Sequence, residues 1–85
     1  MKKTDFDFKE IRHGQTRRYG DSEIVYEIYT ECDDKAEVVK FCNEVINKGR
    51  VIHTRQDREH WYSAYYELAK TNYGWQYTIT YPYTD

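Results

Sequence analysis

Apolar positions recur every three or four residues along one stretch of this chain, and at every second residue along most of the rest. Val38, Phe41, Cys42, Val45 and Ile46 share one helical face. They follow Asp34-Lys35-Ala36-Glu37, which has the capping-box form: an acidic N-cap, with a glutamate three residues later that reaches back. Lys48 falls in the last turn, and Gly49 supplies the left-handed position that ends a helix. The spacing predicts one helix of about four turns between Asp33 and Gly49.

Elsewhere the period is two. Asp5-Phe6-Asp7-Phe8-Lys9 puts both phenylalanines on one face, and Ile24 to Thr30 does the same for Ile24, Tyr26 and Ile28. Arg12 to Asp21 is polar and broken by Gly14 and Gly20, which predicts a long loop between the two strands. After the helix, Arg50 to Arg55 predicts a short strand and Gln56 to Glu59 a charged turn.

Trp61 to Lys70 fits two periods. As a helix it groups Trp61, Ala64, Tyr65 and Leu68; as a strand it groups Tyr62, Ala64, Tyr66 and Leu68. Its aromatic density favours the strand. Thr71-Asn72-Tyr73-Gly74 is turn chemistry, and Trp75, Tyr77, Ile79 and Tyr81 then alternate with Gln76, Thr78 and Thr80. Pro82 ends that pairing. The order β-β-α-β-β-β predicts an α+β fold for 1–85: a small two-layer domain with an antiparallel sheet packed on one helix. Phe6, Ile24, Ile28, Leu68 and Ile79 are the expected members of the covered sheet face.

Composition changes what the core is made of. Leu68 is the sole leucine, so Ile, Val, Phe, Trp and Tyr must fill the interior, and these residues favour strands. Nine of the fifteen aromatic residues lie between Trp61 and Tyr83. A chain this short buries roughly 60% of its unfolded surface, which implies a stability of about 5 kcal/mol.

Candidate chemistry is sparse. Cys42 falls on the buried helix face and Cys32 just before the helix, open to solvent and too far away to bridge. Two reduced thiols, no long apolar run and no signal-peptide core predict a cytoplasmic protein with no membrane contact. His13, His53 and His60 lack metal-ligand spacing, and no third group is placed to orient a Cys–His pair. The glycines form no phosphate cradle. The expectation is a non-enzymatic protein without metal or cofactor.

Strand parity then isolates a surface. If Tyr62, Tyr66 and Leu68 face the helix, Trp61 and Tyr65 face away from it, as do Val25 and Tyr29. Exposed aromatics beside arginine are the residue types that dominate protein-binding hot spots. Trp61, Tyr65, Tyr29, Arg17, Arg18, Arg55 and Arg58 are therefore the expected contacts with another protein. The general character is that of small stand-alone phage and mobile-element proteins that inhibit by occupying a partner's surface. A plainer alternative is that these rings only cover the sheet through cross-strand pairing. Homodimerisation through a sheet edge or the same face is a further alternative. Arg12, His13, Arg17 and Arg18, with Arg50, His53, Arg55 and Arg58 beside Trp61 and Tyr62, also resemble the stacking-plus-cation surface of single-strand nucleic-acid binders. A net charge of −2 and 15 interleaved acidic residues argue against that last reading.

Overall fold

Five strands form one sheet, and a helix of 12 residues lies on one of its faces, an α+β fold of two layers. The computed structural model describes residues 6–15, 20–50, 52–57, 60 and 63–82. The strands are β1 (Asp7–Gln15), β2 (Ser22–Tyr29), β3 (His53–Thr54), β4 (Tyr65–Lys70) and β5 (Gly74–Tyr81), in the spatial order β1-β2-β5-β4-β3. The stretch that fitted two periods is thus a strand over its second half, while Trp61 and Tyr62 lie outside the described residues.

Register explains why alternation was a sound guide. Ile24, Ile79 and Tyr66 form one cross-strand row, Tyr26, Tyr77 and Leu68 a second, and Ile28, Trp75 and Lys70 a third. These rows face the helix, where Ile28, Val38, Cys42, Trp75, Tyr77 and Ile79 are buried together. Phe6 and Phe8 share that face as expected: Phe6 stacks on Phe41 with centroids 4.8 Å apart, and Phe8 meets the same ring edge-on at 5.8 Å. Trp75 is tied down by its indole N–H, which donates to the Cys32 carbonyl at 2.9 Å.

Three expectations need correction. First, β1 does not end at Lys9 but runs to Gln15 through the segment read as loop, because β2 pairs with it as far as Ser22. A β-bulge between Glu10 and Arg12 absorbs Ile11, so Arg12 stands opposite Val25 and His13 opposite Ile24. Second, the sheet is not wholly antiparallel, since β3 runs parallel to β4. It is also shorter than the predicted Arg50–Arg55 strand.

Third, the helix changes pitch. Asp34 caps α1 (Lys35–Phe41) as predicted, its carboxylate accepting the Ala36 N–H at 3.0 Å. From Cys42 to Ile46 the coil widens into a π turn, in which Asn47 N–H reaches the Cys42 carbonyl at 2.8 Å. The wider turn rotates later residues off the α-helical stripe. Val45, predicted inward, is 43% exposed, and polar Asn47 is buried instead. Lys48 itself adopts a left-handed conformation (φ 54°) ahead of Gly49 (φ 86°), rather than lying in the last turn. Replacing Asp34 by Ala is expected to cost about 1 kcal/mol, read as a lowered urea midpoint with unchanged slope.

Candidate functional site

The helix covers one sheet face, and the opposite face carries the side chains that parity assigned to it. Tyr29, Glu27 and Val25 of β2 lie beside Gly74, Gln76 and Thr78 of β5, with Tyr65 and Glu67 farther across on β4. Of the predicted contact residues, Tyr29 and Tyr65 do not share one patch there. Tyr29 pairs with Gly74 and Tyr65 with Thr80. Six residues along β5 therefore separate them, or about 20 Å.

At one end, Tyr29 and Tyr73 lie 5.3 Å apart. The Tyr29 hydroxyl donates to the Glu27 carboxylate, and this bond pushes the phenol up to about 12. At the other end, the Arg55 guanidinium sits over the Tyr65 ring at 5.7 Å. Tyr65 faces away from the helix but is only 8% exposed, so its expected exposure is corrected: the ring is not open to a partner or a base. Val25 is buried on the same face. Trp61, Arg17, Arg18 and Arg58 lie outside the described residues. Arg12, counted in the basic loop, is part of β1 and bridges Glu23 at 3.2 Å.

The exposed apolar side chains lie elsewhere. Phe8 is 37% and Ile11 43% exposed, both on β1, and among the described residues no strand pairs with the outer edge of β1. Ile11 falls between the strand and the loop read from the sequence and was given no role there. Its signal was the broken alternation of Phe8-Lys9-Glu10-Ile11, where an apolar residue returns after three positions rather than two, as at a bulge.

The thiols are sequestered. Cys32 is buried, which corrects its expected exposure, and its backbone N–H donates to Thr30 Oγ1 at 3.1 Å. Cys42 is buried beneath the helix, and both cysteines are free. Burial pushes the Cys42 thiol from 9.0 up to about 12. A raised folded-state value means that this contribution to stability is intact below pH 9 and is lost as pH climbs toward 12. Urea midpoints should therefore fall above pH 9, and Cys42→Ala should remove the earliest part of that fall.

Among the described residues no group of three or more His, Cys, Asp or Glu side chains could hold a metal ion. No helix among them is long and apolar enough to cross a membrane. No family model matches the chain, and no curated protein or solved structure gives a significant match.

Proposed function

We propose that this chain is a non-enzymatic module that binds another protein, inhibitor-like, by occupying part of that partner's surface. The observation that carries the reading is β1. Among the described residues it is a nine-residue edge strand, exposed over nearly its whole length, and it bears two of their three exposed large hydrophobics, Phe8 and Ile11. Tyr29, opposite Asp7 in the neighbouring strand, adds an aromatic ring on the other face of the same edge. Interleaved Asp7, Lys9, Glu10 and Arg12, with the bulge at Ile11, guard the edge against indiscriminate strand pairing, so a partner must match both charge and shape. Two buried free thiols support a reducing, cytoplasmic setting.

The test is affinity capture from the native host with the tagged chain and its Ile11→Glu variant. An exposed position of this kind should change folding stability by no more than about 0.5 kcal/mol. If Ile11 is a hot spot, capture should weaken by at least about 2 kcal/mol, roughly thirtyfold. An undiminished partner on the variant removes β1 as the contact.

One register favours self-association as a second reading. Two copies of β1 paired antiparallel about Phe8 set Asp7 of each against Lys9 of the other, on the same sheet face. A strictly monomeric mass across a wide concentration range eliminates that dimer.

A further inference from the structure

The Tyr29 end of the sheet face turned away from the helix carries reactive chemistry as well as a contact ring. Tyr29 ends β2, and Tyr73 immediately precedes Gly74, the first residue of β5. The Thr30 N–H donates to the Tyr73 carbonyl at 3.2 Å, which holds the two segments side by side. The two rings then lie 5.3 Å apart between centroids, at an interplanar angle of 47°. Tyr26–Tyr77 and Tyr66–Tyr77 are wider, at 6.2 and 5.6 Å, and share the buried Tyr77. Tyr29 and Tyr73 are both half-buried, so solvent reaches part of each ring.

One carboxylate serves this pair. The Tyr29 hydroxyl donates to Glu27, two residues earlier on the same face. The Tyr73 phenol lies above its ordinary value, through desolvation first and then through the nearby Glu27 charge. Removing an electron from a phenol makes it a far stronger acid, so its oxidation needs a proton acceptor. A carboxylate already hydrogen-bonded to the hydroxyl takes that proton without rearrangement. The usual competitors are out of reach. Thiolates are the groups that most oxidants attack first, but Cys32 and Cys42 are both buried, and burial keeps Cys42 protonated.

We propose that Tyr29 and Tyr73 form an oxidative modification site, joined into a dityrosine by one-electron oxidants with Glu27 as proton acceptor. Tyr29 gives an electron to the oxidant and its hydroxyl proton to Glu27, which releases it to water. A second oxidising equivalent does the same to Tyr73. The two phenoxyl radicals couple ortho carbon to ortho carbon, and the two ortho hydrogens move through solvent to the oxygens, restoring both phenols. Two electrons reach the oxidant, two protons reach water, and the chain is left two hydrogens lighter. The new bond ties β2 to the turn before β5 and closes a loop holding the helix, β3 and β4. Unfolding then releases less chain entropy.

The test illuminates the dilute, purified chain with ruthenium tris-bipyridyl and persulfate, a one-electron oxidant. The expected product is a monomer two hydrogens lighter, with dityrosine fluorescence and a raised urea midpoint. Tyr29→Phe and Tyr73→Phe should each abolish it, and Tyr26→Phe should not. Glu27→Gln should slow its formation about tenfold, less than in an enclosed site because water can also take the proton. Ring-to-ring nuclear Overhauser contacts between Tyr29 and Tyr73 should survive that change, which separates proton transfer from placement of the rings. An intrachain cross-link that persists in Tyr29→Phe, or cross-linking only between copies, overturns the proposal. So does a Glu27→Gln chain that reacts at the parent's rate.

Discussion

Replacing Gly74 by alanine is expected to leave the chain largely unfolded. Gly74 opens β5 with φ at +146°, a conformation that residues bearing a Cβ rarely adopt. The space is also taken. A Cβ at this position would overlap the Ile28 carbonyl oxygen and lie 2.9 Å from the Thr30 nitrogen. Both obstacles are backbone atoms of the neighbouring strand and the residue just after it, so no side-chain rotation relieves them. Separating the segments means breaking the Tyr29–Gly74 pairing and the adjacent bond from Thr30 N–H to the Tyr73 carbonyl. A cost of about 4 kcal/mol belongs to this class of backbone strain, against a total stability of about 5 kcal/mol. Circular dichroism and amide dispersion should show the loss directly. Gly14→Ala is the control: nothing lies within 4 Å of the added carbon, and the change should stay within about 0.5 kcal/mol. A folded Gly74→Ala chain with a midpoint near the parent's would mean that the turn can shift as a unit, and that the close approach to β2 is not needed.

The features that were legible in the sequence are those set within a few residues. Asp34 caps because its side chain meets the N–H of Ala36, two positions away. The strands β2, β4 and β5 put Ile28, Tyr66 and Trp75 on the predicted side because alternation alone fixes which face each residue takes. Longer-range choices left no such trace. Arg12 to Gln15 has no apolar pattern, yet becomes strand because β2 supplies hydrogen-bonding partners. The π turn could not be read either, since α-helical spacing puts Val45 inside, and the partner that Asn47 meets in the core, Tyr77, lies thirty residues later. The candidate site was legible by parity but not by cover. Tyr65 was assigned the right face and the wrong exposure, because burial on that face depends on what crosses it rather than on strand period.

Tyr77 should be the most costly side chain to remove from the core. It is almost fully buried in the middle row of the sheet, between Tyr26 and Leu68, with the Tyr26 and Tyr66 ring centroids at 6.2 and 5.6 Å. Tyr77→Ala should therefore destabilise by about 3–5 kcal/mol, the range for emptying a large aromatic site. The hydroxyl has a separate role. It accepts from Asn47 Nδ2 at 2.9 Å, and Asn47 also reaches Asn43 Oδ1 at 3.1 Å, while the buried Asn47 Oδ1 has no partner among the described residues. Tyr77→Phe keeps the ring and should lose about 1 kcal/mol, because a buried donor is left with fewer acceptors. Adding Asn47→Leu removes that donor together with the orphaned carbonyl oxygen, so the double variant should regain much of the loss. The cycle of parent, both single variants and the double should give a coupling of about 1 kcal/mol between the two positions. If this bond holds Asn47 inward, the Asn47→Leu chains should also relax toward α-helical pitch and draw Val45 in, visible as increased protection of the amides after Cys42. Independent, additive losses would instead mean that the π turn is held by the backbone bonds of Asn47 and Gly49 to Cys42 and Asn43, and that Tyr77 contributes only its ring.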